Sequence, residues 1–180
     1  MPNPPNPKHN IHHSSQRQDW ATPTDIYEDL NQRYGPFTLD AAASAENAKC
    51  ARYWTEADDA LTKPWTGRTF CNPPYQYCAK FVERAIDEAR NGNAEIVVLL
   101  VPARTDTRWF REAWEHADEV RFLSGRIAFE GASGPAPFPS SAIVLRRPAT
   151  WASAHERVTY TMPTRHGTRP RWFIVSGGSS

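Results

Sequence analysis

Apolar residues recur along this chain with two different periods, and the change from one to the other marks its elements. Ile26, Leu30 and Tyr34 follow at helical spacing until Gly35-Pro36 stops the run. The entry Thr22-Pro23-Thr24-Asp25 reads as a helix start, with threonine at the N-cap, proline at the first helical position and aspartate at N3, so a helix is predicted from Pro23 to Tyr34. Phe37-Thr38-Leu39-Asp40 is a short apolar strand ending in an acid, followed by the small residues Ala41, Ala42, Ala43 and Ser44, where a backbone can approach a ligand. Short strands are expected near Arg52 to Trp54 and at Arg68 to Cys71, and a helix from Ala79 to Arg90 closed by Asn91-Gly92-Asn93.

Ile96 to Val101 is an unbroken β-branched and leucine run, the pattern of a central parallel strand covered on both faces. A helix is predicted from Thr107 to His116, with an adjacent strand at Glu119 to Leu123. Ser141 to Leu145 and Trp172 to Val175 read as further strands, antiparallel to the rest. This alternation predicts an α/β fold, a mostly parallel sheet with helices on both faces. In such sheets ligands sit beyond the carboxyl ends of the strands, where Asp40, Asn72 and the Pro102-Ala103-Arg104 turn all fall.

The strongest chemical signal is Asn72-Pro73-Pro74-Tyr75, delivered by the apolar strand end Phe70-Cys71. A conjugated amine such as adenine N6 is a poor nucleophile because its lone pair is delocalised into the ring, and no ordinary side chain deprotonates it at neutral pH. The Asn72 side-chain oxygen and the Pro73 carbonyl, held extended by two consecutive prolines, can accept both N–H bonds and draw the nitrogen towards tetrahedral character. Tyr75 offers a ring on which a base can stack. Taken alone the tetrapeptide also reads as a proline turn capped by an aromatic residue; a preceding strand and a following helix favour the chemical reading.

Composition narrows the partners. The 180 residues suit one domain with short extensions, and the net charge of +1 conceals an asymmetry. Residues 1 to 103 hold 10 Lys+Arg against 13 Asp+Glu, net −3, whereas residues 104 to 180 hold 11 against 7, net +4, with every basic residue an arginine. Arginine's planar fork suits phosphate oxygens and guanine edges, so a polyanion belongs with the second half. Cys50, Cys71 and Cys78 form no CxxC pair and read as free thiols in a reducing cytoplasm, with no metal site expected. His9, His12 and His13 lie in a Pro/Asn-rich leader that lacks an apolar h-region, and no stretch approaches a membrane span.

An ordered series of motifs resembles the phage-type DNA N6-adenine methyltransferase (Dam-like) family. It comprises Asp19-Trp20-Ala21-Thr22-Pro23, Phe37 to Ala43, Asn47-Ala48, Tyr53-Trp54-Thr55, Asp59-Ala60-Leu61, Trp65 and Asn72-Pro73-Pro74-Tyr75. Downstream follow Val101 to Phe110, Gly125-Arg126-Ile127-Ala128-Phe129 and Ala136-Pro137-Phe138-Pro139-Ser140. The resemblance covers residues 19 to 147. It implies an abbreviated Rossmann-like, S-adenosyl-L-methionine-dependent methyltransferase fold acting on adenine in duplex DNA, flipped out of the helix, in the cytoplasm of a bacterial host and encoded by a phage or prophage. The Pro/Asn-rich composition of the leader 1–18 reads as a disordered tail, and residues 148–180, where the resemblance fades, are expected to be an extension with one added strand and a flexible tail.

On that resemblance Asn72, Pro73, Pro74 and Tyr75 are catalytic. Trp20, Thr22 and Pro23 line the methionine end of the cofactor, Asp40 and Ala41 occupy the place of the glycine-rich loop, and Asp59 lies near the adenosine. Thr22 and the helix start behind Pro23 suit a carboxylate. Arg104, Thr105, Arg108 and Arg126 are the expected DNA contacts, with the loop from Gly131 to Pro139 near the target. Other readings stand beside these: Trp20 as core, Asp40 as a cap, Asp59 as an exposed loop acid, and Arg108 and Arg126 paired with Glu112 or Glu130. No GxGxxG follows the first strand, and Asp40 and Asn72 stand only 32 positions apart, too few for two further βα units. The competing functions are methylation of protein glutamine amides, which pose the same conjugation problem, and a DNA-binding module with a degenerate cofactor pocket. The recognition site and the oligomeric state are not legible.

Overall fold

The computed structural model describes residues 20–148 and the backbone of 172–175. The leader with its three histidines and most of the segment beyond residue 148 lie outside the described residues. Helix α1 spans Thr24–Tyr34, α2 Cys78–Arg90 and α3 Arg108–His116; the strands are β1 Leu39–Asp40, β2 Gly67–Cys71, β3 Ala94–Pro102, β4 Glu119–Leu123, β5 Ser140–Arg146 and β6 Trp172–Val175. They form one sheet in the order β1-β2-β3-β5-β4-β6. Strands β1, β2 and β3 are parallel neighbours, and β5 pairs antiparallel with both β3 and β4, so β4 runs in the direction of β3. Strand β6 is antiparallel to β4.

Side chains alternate along β3, and each face has its own cover. Val97, Leu99 and Val101 meet α2 and α3 through Phe81, Val82, Ala85, Phe110 and Ala113. Ile96, Val98 and Leu100 meet α1 through Ile26, Leu30 and Tyr34. The apolar run at 96–101 is therefore covered on both faces, as its composition requires. Helix α2 also buries Glu88, at 2 % exposure, against Arg84, whose guanidinium donates to the Lys63 carbonyl at 2.8 Å and so ties the helix to the connection between β1 and β2.

Three expectations need correction. The helix start lies one residue later than read: Pro23 is the N-cap of α1 without a side-chain cap, and Thr22 turns its hydroxyl elsewhere. The strand at 119–123 is not beside β3, because β5 inserts between them and supplies the antiparallel partner for both. The strand expected at 52–54 amounts to one parallel bridge, Asp40 to Tyr53, fastened by Asp40 N to Arg52 O at 3.0 Å and Trp54 N to Asp40 O at 2.9 Å. Between β1 and β2 the described chain contains turns and one short 3-10 turn at Glu56–Asp58, so β1 is the edge strand and the sheet is abbreviated on that side.

Candidate active site

Parallel pairing puts the carboxyl ends of β1, β2 and β3 side by side, and they carry Asp40, the Asn72 turn and the Pro102-Ala103-Arg104 turn to one edge. Strand β4 points the same way, so the loop that leaves it at Ser124 and returns into β5 at Ser140 lies on that edge too. A cleft of about 1090 Å³ opens there. Among the residues singled out in the sequence, its walls include Trp20, Thr22, Asp40, Ala41, Asp59, Asn72 and Pro74. The arginine group stands apart from those walls.

Asn72 is the best-defined group. Its Nδ2 donates to the Trp20 carbonyl at 2.8 Å and to the Thr22 hydroxyl at 3.1 Å, while its Oδ1 is buried with no hydrogen-bond partner among the described residues. Native folds rarely leave a buried acceptor unpaired, so such an atom asks for a donor. Of the two proline carbonyls, that of Pro74 accepts from Tyr77 N at 2.8 Å in the turn leading to α2. The Trp20 to Thr22 segment is itself held across the site, since Glu130 N donates to Ala21 O at 3.0 Å and the Glu130 carboxylate lies 3.6 Å from Lys49 Nζ.

Tyr75 is set in an aromatic cluster and does not stand free. Phe138 meets it edge to face at 5.0 Å between centroids, Trp20 at 5.9 Å and Phe129 at 6.1 Å, and Trp20 in turn stacks on Phe138 at 5.9 Å. Burial pushes the Tyr75 phenol far above its ordinary range, so its hydroxyl stays neutral. Trp20 thus serves two purposes, a ring in this cluster and a carbonyl on Asn72. Phe129 and Phe138 belong to the Gly125 to Phe129 and Ala136 to Ser140 motifs, but the sequence alone does not join them to Tyr75, because more than fifty residues separate them from it.

Asp40 is 3 % exposed. Its carboxylate accepts from Lys49 N at 3.0 Å and Ala42 N at 3.3 Å, closing the loop from 41 to 49. Burial raises the carboxyl to about 6, outweighing those two bonds and the Lys49 charge, all of which favour the ionised form. The small residues behind it offer room and not donors: Ala41 N is taken by Phe70 O, Ala43 N by Trp54 O and Ser44 N by Asn47 Oδ1. A carboxyl raised above its ordinary 3.8 binds its proton more tightly in the fold than in the unfolded chain, so its contribution to stability is greatest below pH 4 and is lost as pH rises towards 6. Relative to Asp40→Asn, the protein should lose about 2 kcal/mol of unfolding free energy between pH 4.5 and pH 7. Urea unfolding of the two proteins across that range checks this; a constant difference would contradict it.

Asp59 is exposed, adopts a left-handed conformation at φ 53° and accepts from Leu61 N at 3.3 Å. Pro23 heads α1, and Asp25 places its own carboxylate in the first turn, accepting from Ile26 N at 2.9 Å, which weakens that helix start as an anion site. Arg104, Thr105, Arg108 and Arg126 are all exposed. Neither Arg108 nor Arg126 makes an ion pair with a described residue; Arg111 pairs with Glu115, and Glu130 with Lys49. Cys71 and Cys78 are buried with thiols raised by that burial, Cys78 to about 12, so neither is a nucleophile. Among the described residues no cluster of His, Cys, Asp and Glu could hold a metal, and no helix is long and apolar enough to cross a membrane.

An α/β sheet with an Asn-Pro-Pro-Tyr turn beside a cleft at its strand ends is the arrangement expected of the methyltransferase class. Residues 9–159 match the model of the family described as DNA N-6-adenine-methyltransferase (Dam), and the chain belongs to that family. A DNA N-6-adenine-methyltransferase of Escherichia phage T1 is 34% identical over 139 residues, 67% of this chain and 57% of the relative, so the chain spans little over half of that protein's length. A DNA N-6-adenine-methyltransferase of Haemophilus phage HP1 is 34% identical over 119 residues, 64% of this chain and 68% of the relative. Among solved structures the chain is similar to 23S rRNA methyltransferase ErmE, at 13% identity and a TM-score of 0.47 over 72% of this chain and 70% of that one.

Proposed function

We propose that this chain methylates the N6 amino group of adenine in DNA, with S-adenosyl-L-methionine as methyl donor and the adenine turned out of the duplex into the cleft. The observation that carries this reading is the buried Oδ1 of Asn72, a residue of the cleft lining, which has no hydrogen-bond partner among the described residues. Family membership supports the substrate over a glutamine amide, and a cleft of this size argues against a degenerate pocket.

The cleft fits the cofactor chemically. It offers a buried acid at Asp40, open space over Ala41 to Ala43, the aromatic wall of Trp54 and Phe81, and the polar rim of Asp59 and Lys80. Trp20 and Thr22 line it beside Asn72 and, with Pro23 next in the chain, are assigned the methionine end; Asp40 and Ala41 are assigned the first-strand position, and Asp59 the adenosine. S-adenosyl-L-methionine supplies an electrophilic methyl group on a sulfonium.

The chain's own part is orientation. Asn72 Oδ1 accepts one N–H of the amine and the Pro73 carbonyl accepts the other, which frees the nitrogen lone pair from the ring and aims it. Pro74 fixes the turn. Tyr75, backed by Trp20, Phe129 and Phe138, holds the base plane by stacking. Water takes the surplus proton after transfer, since the Tyr75 phenol and the Asn72 amide are not bases. Placing the reacting atoms in line supplies most of the rate.

Arg104, Thr105, Arg108 and Arg126 are assigned to the phosphate backbone, where contacts position the duplex without reading it. Arg108→Ala should weaken duplex binding by a similar factor on every sequence and flatten the dependence of log affinity on log salt by about 1. A loss confined to one sequence would make Arg108 a base reader instead. The function itself is tested with tritiated cofactor: label should enter duplex DNA and be recovered as N6-methyladenine after digestion. Label in protein glutamine, or in no nucleoside, overturns the reading.

A further inference from the structure

We propose that the Trp20 to Thr22 segment is a positioning device that locks the Asn72 amide in one orientation, and that it makes asparagine, and not aspartate, the residue this site requires. The inference rests on the reading of Asn72 as the acceptor for the substrate amine and adds what sets that acceptor.

A backbone carbonyl oxygen can only accept. The Asn72 side-chain atom 2.8 Å from the Trp20 carbonyl is therefore the nitrogen, because an oxygen there would oppose two lone pairs at contact distance. The second amide proton goes to the Thr22 hydroxyl at 3.1 Å. Both protons are used on one side, so Oδ1 faces the other way, where it is buried without a partner among the described residues. The segment that enforces this is itself fixed: Ala21 bridges to Glu130, Thr22 is 3 % exposed, and the Trp20 ring is packed on Phe138 and Phe129.

Aspartate at position 72 has nothing to donate. One of its oxygens would lie against the Trp20 carbonyl in a poorly solvated site, and the arrangement survives only if that oxygen carries a proton. Protonated, the acid donates to Trp20 and keeps a carbonyl oxygen as acceptor, and the function of asparagine is recovered. The titratable groups on the cleft walls are Asp40, Glu46, Lys49, Glu56, Asp59, Tyr77 and Lys80, with Glu130 paired to Lys49 and the Tyr75 ring packed on Trp20 beside them, so the effect is read as a ratio to the unmodified protein at each pH.

Single-turnover methyl transfer to adenine-containing duplex is measured from pH 5.5 to 8.5 for the unmodified protein, Asn72→Asp, Thr22→Val and Thr22→Ser. The side-chain amide signals of Asn72 are followed by nitrogen-15 NMR in the unmodified protein and the two Thr22 variants. The Asn72→Asp rate relative to the unmodified protein should climb as pH falls, by about tenfold per unit where the new acid is ionised. Thr22→Val should lower kcat by about tenfold with KM for DNA little changed, and shift the Asn72 amide signal; Thr22→Ser should recover both. A flat Asn72→Asp ratio, or Thr22→Val with an unmoved rate and an unmoved amide signal, overturns the proposal. If the unmodified protein transfers no methyl to adenine, the functional reading fails, and the amide signals of the Thr22 variants still decide whether the segment orients Asn72.

Discussion

Asn72→Ala should lower methyl transfer by about 10² to 10³-fold at saturating cofactor and DNA while leaving cofactor affinity unchanged. The size follows from what is removed. Oδ1 is a fixed acceptor in a site poor in water, and deleting one pre-aimed polar group of that kind typically costs this much in kcat. Asp40, Trp54 and Asp59, assigned to the cofactor on the proposed function, make no hydrogen bond to the Asn72 side chain, and Trp20 and Thr22 keep their other contacts, so calorimetric titration with S-adenosyl-L-methionine should give an affinity close to that of the unmodified protein. Some stability will go with it, because the Trp20 carbonyl and the Thr22 hydroxyl lose their donor; about 1–3 kcal/mol is expected, and thermal unfolding will show whether the variant is folded under assay conditions. A folded, cofactor-binding variant that still methylates at the full rate would remove Asn72 from the mechanism, and with it the observation on which the function rests.

The elements that periodicity marked are the ones in which one residue type dominates one face. The helix at 24–34 and the strand at 94–102 were legible because Ile26, Leu30 and Tyr34 repeat at a helical interval and because β3 is covered on both sides. Sheet order was not legible in the same way. Nothing in the composition of 119–123 says that β5, reached only after a loop of sixteen residues, will insert beside β3. That choice is made by tertiary pairing.

The site divides along the same line. The Asn72 to Tyr75 turn is local, and its four residues announce themselves by type and spacing. Its supports are not local: Trp20, Phe129 and Phe138 reach Tyr75 from two different loops, and Thr22 reads as a helix cap until the structure shows its hydroxyl accepting from Asn72. The cap reading failed for a physical reason. A threonine hydroxyl serves a helix N–H or a neighbouring amide equally well, and here it is taken by the Asn72 amide, which follows the end of a strand and lies fifty residues downstream. The small residues after Asp40 line the cleft, but their N–H groups are spent on Phe70, Trp54 and Asn47, so the first-strand loop provides space where a glycine-rich loop would provide donors.

Those distant supports make Tyr75 the second position at which a large effect is expected, and the two substitutions that matter there should diverge. Tyr75→Ala deletes a ring that touches Trp20, Phe129 and Phe138 and that, on the proposed function, also carries the flipped base. Base–aromatic stacking alone accounts for about 10- to 100-fold in transfer, and the emptied cluster adds a stability loss of about 3 kcal/mol. Tyr75→Phe keeps the ring and every one of those contacts. The native Tyr75 phenol is held neutral by burial, which raises it far above its ordinary range, so it cannot take the proton that leaves the amine. A group acting as general base would be worth about 10² to 10⁴-fold, whereas a group acting only through its ring should cost no more than a few-fold on losing its hydroxyl. Rates of the two variants under single turnover, with melting temperatures alongside, separate the cases: a phenylalanine variant as slow as the alanine one would give the hydroxyl a chemical part and would require a proton path through Tyr75 that water does not supply.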